Sequence, residues 1–401
     1  MTQSKNYLFL IFYYRAVGSY SNVNNMNIMK NRQPNLAKTV DTDKGTASGR
    51  TAGPDFKFRN HDPSPTFHNQ PHEEEEKFET QVVTKAEREK AAGLYWIGDL
   101  PFLLFYHCKN KKWRKIEFSE ESRYKGDLKY PSIIRLNKSD TIILTGGCDN
   151  YTGEASESVF KANILHIESF KKINSMKNKR YGHCSAWIKD YLFVIGGFDH
   201  QDTETSSPST LVACEKYNDS TGMWSDVANL IHPVSFASIS AIKDEYLFVF
   251  GGFEDYTTVD IIQKYDFLSN SWDLLSIKLP VRLAKMGATA IDNYNIIIAG
   301  GIYEDSSSET PLSLISNCYK LNLNKMSWGK AGKMKNKRTL NSSLFQYDNQ
   351  IYAIGSSNKG ACEKYDPEAK IWINIPSYDS ILANNDLQSF SVCMYDPTRL
   401  L

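Results

Sequence analysis

No stretch of this chain stays apolar for the ~18–20 residues that a bilayer-spanning helix needs, so no membrane span is expected. A dominant charge sign is missing too. Lys and Arg number 47 against 46 Asp and Glu, which leaves no global field for nucleic acid or acidic lipid. Cysteine is sparse, with seven in 401 residues and no CxxC pair. That disfavours a disulfide framework and a zinc site, and it favours a reducing compartment, with a cytoplasmic location expected and secretion not. The catalytic strings GxSxG, HExxH and GxxxxGK[ST] are absent. The expectation is therefore a protein that is not an enzyme, with no cofactor and no metal.

The first 71 residues, rich in Asn, Ser, Thr, Pro and Gly between Ser19 and Gln70, have little apolar periodicity and read as a disordered tail. The run Tyr7–Tyr14 is apolar but short and tyrosine-rich for a secretory signal. It reads as a short hydrophobic tail, or as a stretch ahead of a start at Met26 or Met29. Residues 72–92 place acids before bases, which suits a helix dipole, and read as a helix or linker.

From Leu94 onward the chain repeats. Apolar strands run into glycine at Gly98, at Gly146 and Gly147, at Gly196 and Gly197, at Gly251 and Gly252, at Gly300 and Gly301, and at Gly355. The first glycines are 48, 50, 55, 49 and 55 residues apart. A period of about 50 with strands inside it indicates a propeller array rather than a series of domains. A second landmark keeps the register. Tyr106 and Trp113, Tyr217 and Trp224, Tyr265 and Trp272, and Tyr365 and Trp372 are all seven residues apart, and Leu321 and Trp328 keep the step. Turn formers lie between them, so the two members of each pair face each other across a hairpin.

An apolar strand ending in Gly-Gly, then Tyr, then Trp, about every 50 residues, resembles the kelch repeat, and the resemblance covers about Leu94 to Tyr395. It implies an all-β, six-bladed propeller of four-stranded antiparallel blades over residues 93–396, with 397–401 as a short C-terminal end. The first repeat lacks its innermost strand, and Leu387–Tyr395 is a surplus alternating strand. That C-terminal strand is expected to complete the first blade and clasp the ring. The repeat glycines and tryptophans are structural on this reading. So are Cys214, Cys318 and Cys362, each three residues before its Tyr-type position and predicted to be small core residues. Copper-binding kelch oxidases need clustered Tyr and His ligands, and iron-binding plant kelch proteins carry a Glu-x3-Asp-x3-His signature. Neither pattern occurs here: of eight histidines, His61, His68, His72 and His107 lie outside any shared loop set.

The loops after the glycine pairs are acidic, with Asp149, Glu154, Glu157, Asp199, Asp202, Glu204, Glu254, Asp255, Glu304, Asp305 and Glu309. The links between blades are basic. Aligning the innermost strands puts Lys129, Arg180, His232, Arg282, Arg338 and Asn385 at one position near the axis, as a candidate site for an acidic peptide. Arginine there can also bond blade-edge carbonyls. The resemblance implies an adaptor or scaffold that binds other proteins. Residues 1–90 lack the long apolar-patterned helical region of a BTB or F-box module. The alternatives are substrate recognition in a ubiquitin ligase assembled in trans, and association with actin or the cytoskeleton.

Overall fold

The computed structural model describes residues 84–136, 139–199, 209–304, 312–355, 362–366, 368–378, 381 and 389–400. The tail 1–71 and most of the 72–92 segment lie outside them. Within that segment a helix spans Lys85–Ala91, started by a capping box in which Thr84 and Glu87 satisfy each other's backbone N–H groups.

Six four-stranded antiparallel sheets follow. We number them as blades in chain order. Blade 3 shows the plan: Cys184–Ile188 nearest the axis, then Tyr191–Ile195, Cys214–Asn218 and Met223–Val227 outermost. The second strand, paired with the first and the third, is the most apolar. Its Leu192, Phe193, Val194 and Ile195 are all buried. The Tyr and Trp seven residues apart are cross-strand partners, as in Tyr217 with Trp224 and Tyr265 with Trp272. Sequence spacing did not disclose that the indole also reaches the preceding blade. Trp113, Trp224, Trp272 and Trp328 donate from Nε1 to the carbonyls of Pro376, Asn174, Ala228 and Lys278.

The core lies between blades. Six apolar clusters each join two neighbouring blades, including one between blades 6 and 1 that holds Leu94, Trp96 and Ile354. Closure follows the expected route. Phe390–Tyr395 pairs antiparallel with Gly93–Gly98 and forms the innermost strand of blade 1, whose outer strands are Phe102–His107 and Lys112–Glu117. The second glycine of each pair needs its conformational freedom. Gly197 has φ +99° and donates to the Val234 carbonyl at 2.9 Å, and a Cβ there would lie 2.9 Å from Tyr181 O.

Candidate functional site

The links entering blades 3 and 6 share one construction. Glu215 on the third strand of blade 3 accepts from the backbone N–H groups of Lys177 and Asn178 at 2.7 and 3.0 Å, and from Asn178 Nδ2 at 2.8 Å. Arg180 Nη2 donates to the same carboxylate at 2.7 Å, while its Nη1 donates to the carbonyls of Gly196 and Ala213. Glu363 in blade 6 repeats the set with Lys335, Asn336 and Arg338. Both arginines and both glutamates are fully buried. In blade 4 the arrangement is neutral. Gln263 accepts from the N–H groups of Ile231 and His232 and donates to His232 O.

This corrects the candidate set at Arg180 and Arg338. Neither guanidinium has surface to offer a peptide, and both act as internal ties, each pairing the buried glutamate that holds its link. The register also differs from the sequence alignment. The carbonyls that receive the N–H of the second glycine are those of Arg180, Val234, Leu283 and Arg338. His232 and Arg282 therefore sit two residues and one residue before the shared position. Lys129 pairs with Cys148 in a short ribbon, as Tyr181 does with Phe198, and so sits one residue after it. Asn385 lies outside the described residues.

On the solvent side of the same links, Lys177, Lys179, Arg282, Lys335 and Lys337 are exposed, and Lys129 and His232 are half-buried. His232 Nδ1 lies 3.2 Å from Glu254 Oε1. The acidic loop residues are partly committed to backbone N–H groups of their own or a neighbouring loop. Asp149 accepts from the N–H groups of Tyr151 and Thr152, which hold its carboxyl below the usual range. Glu304 accepts from the N–H of Thr258. Asp202, Glu204, Asp305 and Glu309 lie outside the described residues.

At the axis, inner strands of successive blades are joined directly. The N–H groups of Gly182, Phe236, Lys285 and Leu340 donate to the carbonyls of Tyr130, Gly182, Phe236 and Lys285, a run of bonds circling the axis on the glycine-pair side. Tyr130, Phe236 and Lys285 adopt left-handed φ of 52°, 48° and 54° to make the turn. The Lys285 ammonium lies over the Phe236 and Tyr130 rings, 4.4 and 4.9 Å from their centroids. Burial pushes its pKa down to about 7. Lys285 gave no signal in the sequence beyond being one more lysine in a basic link. Beyond the ring a cavity of about 420 Å³ follows the axis, lined by the inner strands of all six blades.

Among the described residues no group of three His, Cys, Asp or Glu could hold a metal ion. All seven cysteines are free thiols, and Cys214, Cys318 and Cys362 are buried as predicted. The Cys148 thiol is half-buried and raised by burial to about 11, unlike a reactive thiolate. No helix among the described residues is long and apolar enough to cross a membrane.

No protein-family model matches the chain. It is similar to kelch-like protein 25 of Xenopus tropicalis, 28% identical over 244 residues, which are 59% of this chain and 39% of the relative. Human kelch-like protein 25 is 28% identical over 238 residues, 58% of this chain and 38% of the relative. Human kelch-like protein 23 is 24% identical over 264 residues, 64% of this chain and 42% of the relative. The chain thus spans about two fifths of the length of these relatives. Among solved structures, that of YjhT superposes with a TM-score of 0.57 at 14% identity, over 71% of this chain and 95% of that one. That likeness speaks to the fold alone.

Proposed function

We propose that this chain, a kelch-repeat β-propeller, is a protein-binding module that works as an adaptor or scaffold. Its binding surface is the face formed by the glycine-pair loops and the inter-blade links. One observation carries the reading. The links entering blades 3 and 6 are anchored from beneath by the buried Arg180–Glu215 and Arg338–Glu363 pairs, so the backbone that carries their exposed lysines is held on one face. A preorganised row of cations favours acidic partner segments, because little ordering is left to be done on binding. The docking cations on this reading are Lys179, Arg282 and Lys337, with Lys129 and His232 beside them. Seven free cysteines fit a reducing, cytoplasmic setting.

Affinity capture tests this with wild-type protein and a Lys179→Glu, Arg282→Glu, Lys337→Glu variant that melts normally. A partner held by wild type and lost by the variant places binding on this face. A partner held by both keeps the adaptor reading and moves the site. No partner for either overturns it. The identity of the partner separates the alternatives: a cullin-type protein would mark a ligase subunit assembled in trans, and filaments would mark a cytoskeletal one.

A further inference from the structure

The axial cavity is closed at one end and has a rim at the other. At the glycine-pair end the Lys285 ammonium of blade 5 lies 4.9 Å from the centroid of the Tyr130 ring of blade 2, which stands opposite in a ring of six. The Phe236 ring of blade 4 packs edge-on to Tyr130 at 5.0 Å. Side chains of three blades therefore meet across the axis, and Lys285 and Phe236 are buried there. At the far end Met394, Arg135, Trp187, Ala241, Ala290 and Gln346 share one register position, one from each blade in ring order. All six line the cavity, and all six are partly exposed. The two alanines are neighbours, so the rim carries least bulk beside blades 4 and 5.

Between the ends each blade, with the link entering it, puts a Ser or Thr hydroxyl on the wall: Ser391, Ser132, Ser185, Ser240, Thr289 and Ser342. The Ser132 and Ser185 hydroxyls lie 2.6 Å apart, Ser391 Oγ accepts from the Ile133 N–H at 3.1 Å, and Ser342 donates to the Ala237 carbonyl at 3.1 Å. A hydroxyl has one donor and two acceptor sites, so these bonds leave capacity over. Ser240 is buried, and its hydroxyl bonds to no group among the described residues. Leaving such a hydroxyl unbonded is costly, so its partner is whatever fills the cavity. The charges on the wall balance. Arg135 donates to the carbonyls of Ser139 and Asp396 at 3.0 and 3.1 Å, with its Nη2 buried and without a partner. The Asp396 carboxylate accepts from the Thr398 N–H and hydroxyl at 3.0 and 2.7 Å. With one acid, one guanidinium and a His183 whose pKa burial pushes far down, the wall offers an ion no surplus counter-charge.

We propose that the axial cavity is a binding site for a small uncharged polyhydroxylated molecule. It is entered from the face opposite the glycine-pair loops and does not depend on what docks on those loops. The volume of about 420 Å³ suits such a ligand, since small-molecule pockets run from about 300 to 1,000 Å³. A polar cavity also fills with water when no ligand is present. Displacing ordered water succeeds where the newcomer repeats its hydrogen bonds, which favours a polyol over an apolar molecule of equal size.

Titration calorimetry of the full chain with glycerol, erythritol and myo-inositol tests this, beside myo-inositol monophosphate and benzene as charged and apolar controls. Saturable heat is the readout, because polyols raise the melting temperature of proteins in general through exclusion from their surface. At least one polyol should bind, one molecule per chain, and several-fold more tightly than either control. Ser240→Ala should weaken it several-fold, and Ala290→Phe, which fills the rim, should abolish it. The Lys179→Glu, Arg282→Glu, Lys337→Glu variant should bind as wild type does. Binding should also shift the Trp187 indole N–H resonance, assigned by its loss in Trp187→Phe, and this reading decides the matter if Ala290→Phe does not fold. The inference is overturned if none of the polyols binds, since the cavity then holds water only. It is equally overturned if benzene or the phosphate ester binds better, or if polyol binding leaves the Trp187 resonance in place and survives Ser240→Ala unchanged.

Discussion

At the scale of residues, the buried ties explain why some charged side chains sit in the interior of the blades. A buried carboxylate is tolerated where it is paired and its remaining lone pairs are filled. Glu215 meets that condition with Arg180 and three further donors. Blade 4 replaces both members at once, with Gln263 at the acid position and Val234 at the arginine position. The pair should therefore behave as a unit. Arg180→Val or Glu215→Gln alone should cost about 3–5 kcal/mol, because each strands the other partner. Arg180→Val with Glu215→Gln, which copies blade 4, should lose far less than the sum. Denaturant unfolding of the four proteins gives the coupling, and strictly additive losses would show that the two residues act separately. Lys285 is a second buried charge, an ammonium desolvated against two rings. Its folded pKa, lowered from 10.5 to about 7, lies below the unfolded one. Below about pH 7 both states are protonated and the burial cost is full. Between about 7 and 10.5 the folded state gives up the proton first, so wild-type stability rises with pH across that window. Lys285→Met should raise the melting temperature most at about pH 6, and the gain should shrink toward pH 10. A gain independent of pH would assign the effect to packing instead.

At the scale of elements, the blades were legible because their landmarks are steric. A second strand must be apolar and must end in glycine, since a Cβ at Gly196 would meet the Val234 carbonyl at 2.3 Å. The clasp was legible by arithmetic: one repeat lacked an inner strand and one strand was left over. The site was less legible, for two physical reasons. Burial leaves no mark on an arginine in a basic link, and the links vary by one or two residues with no apolar landmark to align them. That is why His232 and Arg282 were grouped with Arg180. A signal was nonetheless present. The string KNKR occurs at 177–180 and 335–338, and each is followed by CEKY, at 214–217 and 362–365, so arginine and glutamate recur together. The clasp carries its own test. Beyond six register pairs with Gly93–Gly98, Tyr395 donates to Asp140, which also receives Arg88 from the helix at 2.9 Å. Arg135 donates to the Asp396 carbonyl at 3.1 Å. Removing residues 387–401 uncovers a second strand that is buried at every position. The truncated protein should aggregate or lose its cooperative melt, and an unchanged melt would refute closure through this strand.

At the scale of the whole molecule, closure changes how damage spreads. In an open array the end repeats have one neighbour each, and a weakened repeat frays locally. Here the inner strands touch in an unbroken circuit that includes the contact between blades 6 and 1, and each blade shares an apolar cluster with two others. No blade can open without breaking two interfaces, so the ring should unfold as one unit. Ile195→Ala in blade 3 and Ile351→Ala in blade 6 lie far apart in the ring, and both side chains are buried. Each should cost about 2–4 kcal/mol. Each should lower the midpoint of one shared transition rather than split it. Hydrogen exchange gives the sharper reading. If the ring opens globally, Ile195→Ala should speed exchange of the slowest amides in blade 6 as much as in blade 3, because both exchange through the same opening. Faster exchange confined to blade 3 would mean that a closed ring still opens blade by blade, and that the clasp holds the ends together without coupling what lies between them.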